Sequence, residues 1–408
     1  MKAVEKQYLK PFVLVTTLFL LWGLANNMTD TLLSAFKKIM SMSDTQTSLI
    51  QFAFYGAYFC LALPAALFIR KHSYKSGVVL GLSLYALGAV LFMPAAKAAS
   101  YGFYLIAIYI MAGGCSVLET TANPYILSMG DPKTATRRLN IAQAFNPIGS
   151  ILGILMSKFF ILSDISLYSI SGTYLTLGLV LIGILVVMLV IKMPSGKHSE
   201  ESTTGLKAVF GRLWANKRYR GGVLAQFFYV GAQIGVWSFT IRIVMQELSL
   251  TEASASTVYL VSIIGFCLSR FVYTWMMKYF APQRLLVFGA TLSLLSTAAV
   301  IGLAGSGWVL VCFLVSISIF MSLMFPTIYG LALENVETAE CGGRQGDAKI
   351  GASGLIMAIL GGALLTPLQG FLSDTFSIYI SFSVPLVCFA VVLGYAIYIN
   401  KSQKRDNV

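Results

Sequence analysis

Two carboxyl groups lie inside apolar stretches of the sequence, where ionised side chains are costly. Asp30 belongs to LWGLANNMTDTLLSAF and Glu119 to GGCSVLETTANPYI, and of the sixteen acidic residues only these two fall well within apolar runs. A charge at the centre of a bilayer costs about 2.5–3.5 kcal/mol on insertion scales. We therefore expect one of the two to take up a proton while the other holds the substrate or senses its arrival. The alternatives are static hydrogen bonds, or an Asp30 that reaches the water outside.

Five amide side chains accompany these acids in the first half of the chain. They are Asn26, Asn27, Asn123, Gln143 and Asn146. Asparagine and glutamine offer both donors and acceptors, as a polyhydroxylated ligand requires. Gln143 and Asn146 are three residues apart and are expected on one helical face. The pattern indicates sugar contacts; the alternative is hydrogen bonding between helices, which contributes about 0.6–2 kcal/mol per side chain.

Amide and aromatic side chains also share a helical face in the second half. Gln226, Tyr229, Gln233 and Trp237 follow one another at helical spacing, and Tyr329 and Gln369 lie in later apolar runs. A pyranose has apolar C–H patches and hydroxyl edges, which suit rings and amides. We expect Gln233, Trp237 and Tyr329 to contact substrate. Ordinary packing is the alternative, because aromatic residues make up 13% of the chain.

The acidic, amide and aromatic side chains inside these apolar runs would be positioned by helices that cross a membrane. The chain is 57% hydrophobic and 11% charged, with a mean hydropathy of +0.79, whereas soluble proteins carry about 25% charged residues. At roughly 20 apolar residues per span, the apolar runs predict twelve helices. They lie near 11–37, 47–70, 75–96, 101–129, 135–162, 170–194, 218–246, 252–278, 283–304, 307–334, 348–374 and 377–400.

The spans fall into two groups of six. We predict an N-terminal six-helix bundle at 1–194, a cytoplasmic linker at 195–217 and a C-terminal six-helix bundle at 218–408. Within the linker, GLKAVFGRLW is typical of a short amphipathic helix on the membrane surface. Pro124 and Pro326 lie at matching depth in the fourth span of each half, which indicates pseudo-symmetric bundles and a midplane site that opens alternately to either side.

The distribution of charged residues predicts the orientation in the membrane and argues against nucleic-acid binding. Most of the 29 lysines and arginines fall on one side of the membrane, so both termini are expected in the cytoplasm. This distribution explains the net charge of +13 without nucleic acid. Arg242 is a possible counter-charge to the two acids.

Several kinds of chemistry are missing from the sequence. It shows no phosphate-binding GxxxxGK[ST] loop, no metal-ligand spacing and no Ser/His/Asp arrangement, and its two histidines, His72 and His198, lie in loops. We expect no cofactor, no metal and no enzyme activity. The driving energy is expected from an ion gradient, with the proton as coupling ion, or from the solute's own gradient.

Motifs along nearly the whole chain resemble those of a known family. LFLLWGLANNMTDTLL, IQFAFYGAYF, LETTANPYI, RLNIAQAFNPIGS and MFPTIYGLAL are similar to the fucose–galactose–glucose proton symporter branch of the major facilitator superfamily. The resemblance implies the major facilitator fold. It implies that Asp30 and Glu119 are the proton and substrate carboxylates and that Gln143 and Asn146 contact sugar.

The residues alone favour proton-coupled import of a neutral monosaccharide. The resemblance implies L-fucose or a relative such as L-galactose or D-arabinose. A glucose/galactose–proton symporter of the same branch remains open, and an exporter of amphipathic compounds or a membrane sugar receptor is a more distant alternative. We expect a monomer, multi-pass in the lipid bilayer of a bacterial inner (plasma) membrane.

Overall fold

The computed structural model describes residues 4–41, 44–161, 166–191, 193, 205–334, 336 and 346–406. Within these residues, twelve helical stretches are long and apolar enough to cross a membrane. This confirms the all-α membrane fold and the number of spans predicted from the sequence. Residues 195–204 of the predicted linker lie outside the described residues, and the amphipathic helix expected after them is present.

The first half of the chain contains eight α-helices in its described part. They are α1 (Leu9–Ile39), α2 (Asp44–Lys71), α3 (Tyr74–Val90), α4 (Phe92–Lys97), α5 (Tyr101–Ser128), α6 (Ala135–Gln143), α7 (Asn146–Met156) and α8 (Leu167–Val190). Short 3-10 turns at Lys6–Tyr8 and Pro132–Thr134 precede α1 and α6, and a π-helical turn at Ser157–Ile161 follows α7. Polar residues start several helices: Ser73 and Ser100 accept hydrogen bonds from backbone amides in the first turns of α3 and α5.

The described residues of the second half contain ten α-helices. They are α9 (Leu206–Ala215), α10 (Lys217–Leu248), α11 (Glu252–Met276), α12 (Pro282–Gly302), α13 (Trp308–Met321), α14 (Met324–Leu333), α15 (Asp347–Met357), α16 (Leu360–Thr375), α17 (Ile378–Ser381) and α18 (Ser383–Asp406). In α9, Val209 and Leu213 are buried, while Phe210 and Trp214 are exposed. The amphipathic pattern of the linker sequence is therefore seen in the helix.

Contacts between helices group the chain into two compact units. The first comprises Met1–Ala135, Ile148–Gly211 and Asn335–Met357, and the second Thr136–Pro147, Arg212–Glu334 and Ala358–Val408. In the first unit α15 packs against α2 and α5. In the second, Asn140 of α6 donates to the Thr327 hydroxyl of α14 at 3.2 Å. Two short helices, α6 and α15, thus pack with helices from the other half of the sequence.

Glycines allow α3 and α5 to approach closely. A Cβ atom on Gly81 would lie 2.9 Å from the backbone nitrogen of Leu118. One on Gly88 would collide with the backbone of the facing α5, and one on Gly114 with the backbone nitrogen of Tyr85 in α3. Small residues at such points let membrane helices pack through their backbones. This contact fixes the position of α5, the helix that contains Glu119.

A carboxylate joins three chain segments in the second unit. Glu247, near the end of α10, accepts hydrogen bonds from the backbone N–H groups of Gly305 (3.1 Å) and Gly307 (2.6 Å) and from the Tyr379 hydroxyl (2.6 Å). Gly305 and Gly307 have φ angles of +84° and +66°, which glycine adopts without strain. The ends of α10 and α17 are thereby tied to the turn between α12 and α13.

We expect the Glu247→Ala variant to be less stable than the wild type. Hydrogen bonds to a charged group contribute about 1.5–3 kcal/mol each when well formed, and partial exposure reduces this value, so we expect a total loss of about 1–2 kcal/mol. The measurement is the apparent Tm of detergent-solubilised protein. Gln246→Ala is the control, because Gln246 is the exposed neighbour. Equal Tm values for the two variants would show that Glu247 contributes nothing.

Candidate proton and sugar site

Glu119 is buried in the middle of α5, with 4% of its surface exposed. Among the residues that the structure describes, no hydrogen bond or ion pair reaches its carboxylate. The Tyr58 hydroxyl and the Cys115 thiol lie within electrostatic range. A buried carboxylate is costly unless it is paired. Burial without a partner is what we expect of an acid that gains and loses a proton, rather than of one fixed in an ion pair.

The other polar residues predicted in the first unit lie on α1 and α5. Asn26 and Asp30 belong to α1, which runs unbroken through the polar stretch, and their side chains lie outside the described residues. Asn27 is half-buried, and its Nδ2 donates to the carbonyl of Gly23 at 3.2 Å. Asn123 is fully buried one helical turn after Glu119. Residues four apart share a helical face, so Asn123 and Glu119 face the same way.

Gln143 and Asn146 flank a break in the fifth span. Gln143, only 3% exposed, is the last residue of α6, and the half-buried Asn146 is the first of α7. The structure therefore interrupts the single helix that the sequence predicted across these two residues. Pro147 accounts for the break, because a proline has no N–H to continue the helical hydrogen bonds. The interruption places two amide side chains beside irregular backbone.

The predicted aromatic residues of the second unit differ in their burial. Trp237 is half-buried, its Nε1 donates to the Ser318 hydroxyl at 3.2 Å, and its ring packs edge-on against Phe266 with centroids 5.0 Å apart. Gln233 is half-buried one turn earlier on α10. Tyr329 is fully buried in α14. The indole is thus held in one orientation by a hydrogen bond and an aromatic contact.

The predicted site residues divide between the two units. Asn27, Glu119 and Asn123 are in the first unit, and Gln143, Asn146, Gln233, Trp237 and Tyr329 are in the second. The second unit therefore combines amides from the first half of the sequence with amide and aromatic groups from the second half.

Two arginines have positions that the sequence left open. Arg242 is exposed, with its guanidinium 5.5 Å from the centre of the Phe239 ring. Arg270, by contrast, is only 3% exposed, and its guanidinium donates hydrogen bonds to backbone carbonyls. The sequence signal for Arg270 is a single cation inside the apolar run FCLSRFVYT. A charge so placed marks a candidate functional residue, as the two acids do.

Twelve spans with an acid, amides and an arginine buried among them define a polytopic membrane protein of the secondary-transporter class. The model of the Major Facilitator Superfamily matches residues 15–346. This chain belongs to that superfamily.

Individual relatives are similar over almost the whole chain. The L-fucose-proton symporter of Haemophilus influenzae is 40% identical, with 97% of each chain covered. A glucose/galactose transporter of Brucella abortus is 31% identical, covering 98% of this chain and 96% of that one. The crystal structure of the transporter FucP in an outward conformation superposes with a TM-score of 0.87 at 33% identity, covering 97% of this chain and 99% of that one. These relatives are transporters and not enzymes, and they confirm the family resemblance of the motifs.

Proposed function

We propose that this chain imports L-fucose, or a close stereo-relative, together with a proton. The observation that carries the proposal is Glu119, a buried carboxyl group without a partner among the described residues, in a chain 40% identical to a named L-fucose-proton symporter. A buried carboxyl group that is protonated while the transporter changes the side to which it opens, and ionised when it is exposed to water, couples the proton gradient to solute movement.

The polar side chains have two roles. Asp30 and Glu119 take up and release the proton. Eight further residues contact the sugar: Asn26, Asn27, Asn123, Gln143, Asn146, Gln233, Trp237 and Tyr329. No cofactor takes part, since the proton gradient supplies the energy. The chain works as a monomer in a bacterial inner membrane, with bundles at 1–194 and 218–408, a linker at 195–217 and both termini in the cytoplasm.

Purified protein in liposomes tests the proposal directly. Adding L-fucose outside should make the external medium more alkaline, because each sugar enters with a proton. One charge moving down 100 mV releases about 2.3 kcal/mol, which supports roughly fiftyfold accumulation. Empty liposomes are the control. L-Fucose uptake without any pH change would contradict proton coupling.

A glucose/galactose–proton symporter is the second candidate, supported by the 31% identity to the Brucella abortus transporter. Competition separates the two. We expect unlabelled L-fucose to displace radiolabelled L-fucose at concentrations at which D-glucose and D-galactose do not. The opposite order of potency would assign the chain to the second candidate.

A further inference from the structure

Arg270 of α11 makes two unusual hydrogen bonds. Its Nε donates to the backbone carbonyl of Ser322 at 2.6 Å, and its Nη1 donates to the backbone carbonyl of Gln143 at 3.0 Å. The guanidinium also lies 4.6 Å from the centre of the Phe266 ring. The neighbouring Ser269 hydroxyl contacts the same region, 2.9 Å from the Ser322 hydroxyl. A planar guanidinium can bind two carbonyls at once, which a lysine ammonium does less well.

Each of the two carbonyls belongs to a helix that a proline interrupts. In an α-helix the carbonyl of residue i−4 accepts from the N–H of residue i, and proline has no N–H. Pro326 therefore leaves the Ser322 carbonyl without its helical donor, and Pro147 does the same for Gln143. These are the sites at which α13 gives way to α14 and α6 to α7. Buried carbonyls must be paired, and Arg270 donates a hydrogen bond to each of these two.

The same guanidinium is adjacent to residues proposed to hold the sugar. Gln143 is one of them, and its main chain is bound directly. Trp237 is another, because its ring packs on Phe266, which lies under the guanidinium. Ser318, the hydrogen-bond acceptor of Trp237, is on α13, the helix that ends at the break held by Arg270. Arg270 therefore contacts Gln143 of the proposed site directly and is linked to Trp237 through Phe266.

We propose that Arg270 is a positioning residue of the sugar site: by binding one backbone carbonyl in each of two proline-interrupted helices, it sets the position of Gln143 relative to Trp237. This inference rests on the proposed sugar import. It assigns Arg270 no contact with the sugar and no part in proton transfer.

The test compares Arg270→Gln and Arg270→Lys with Arg284→Gln, an exposed arginine on α12 that serves as the control. Uptake of L-fucose is measured in liposomes and scaled to folded protein from size-exclusion chromatography. We expect Arg270→Gln to raise the apparent KM about tenfold or more. We expect a smaller rise for Arg270→Lys, since one ammonium still reaches one carbonyl. Arg284→Gln should match the wild type.

A proline variant separates positioning from general stability. Pro326→Ala restores an N–H that can pair with the Ser322 carbonyl. The rise in KM from Pro326→Ala to the double variant with Arg270→Gln should therefore be smaller than the rise from wild type to Arg270→Gln. If Arg270→Gln is not recovered folded, Arg270→Lys and Phe266→Leu decide the question through their KM values. The inference is overturned if both Arg270 variants have the wild-type KM. In the fallback experiment, it is overturned if Arg270→Lys and Phe266→Leu both have the wild-type KM. Failure of L-fucose transport by the wild type and by Arg284→Gln would instead overturn the proposed function.

Discussion

The Glu119→Gln variant should exchange L-fucose across a liposome membrane but fail to accumulate it. Glutamine has nearly the shape of a protonated glutamate and never carries charge, so the variant is held in the equivalent of its proton-loaded state. Sugar can still bind and cross in that state. Coupling is lost because no proton leaves, and the accumulation ratio should fall from roughly fiftyfold at 100 mV to one.

The measurements are counterflow of radiolabelled L-fucose and sugar-driven alkalinisation of the medium, both on purified protein. Asp374→Asn is the matched control, because Asp374 is exposed near the end of α16. Asp30→Asn is expected to abolish uphill uptake as well. Normal sugar-driven proton uptake by both Glu119→Gln and Asp30→Asn would refute the assigned roles.

The Gly114→Ala variant should lose folded protein although it adds only one methyl group. That methyl would overlap the backbone nitrogen of Tyr85, which cannot move without displacing α3. Overpacking of this kind costs about 1–3 kcal/mol, and we expect the upper end because the obstacle is backbone. Sugar uptake should fall too, since Glu119 lies little more than one turn further along α5.

Gly102 provides a control on the same helix. A Cβ on Gly102 would meet no atom within 4 Å. Alanine is favoured over glycine by up to about 1 kcal/mol in a helix interior and by less in the first turn, where Gly102 lies, so Gly102→Ala should be neutral or slightly stabilising. Apparent Tm and the monomer peak in size-exclusion chromatography report both variants. A Gly114→Ala protein as stable as Gly102→Ala would show that the α3 contact is looser than described.

The spans and Glu119 could be predicted from sequence because their signals are local. A run of apolar residues is sufficient to identify a membrane helix, and a carboxyl group within such a run is visible without any knowledge of packing. Helical spacing likewise predicted a sugar contact for Trp237, and that contact stays a prediction. Its burial and orientation, however, depend on Ser318 and Phe266, which lie on other helices.

The role of Arg270 could not be predicted because its partners are distant in sequence. The arginine lies 127 residues from Gln143 and 52 from Ser322. Pro147 and Pro326 are visible in the sequence, but no local pattern shows that a single side chain binds the carbonyl that each of them leaves without a helical donor. The sequence likewise gave no sign that Glu247, near a helix end, accepts three hydrogen bonds from two other segments. Such contacts follow from tertiary packing alone.

The glycine contacts between α3 and α5 limit how Glu119 can change its exposure to water. Any sliding or rotation of one helix against the other would bring side chains larger than hydrogen to Gly88 and Gly114, where there is no room for them. We therefore expect the two helices to move as one body during transport. Exposure of the Glu119 carboxyl group to water should then depend on movement of the helices around that pair.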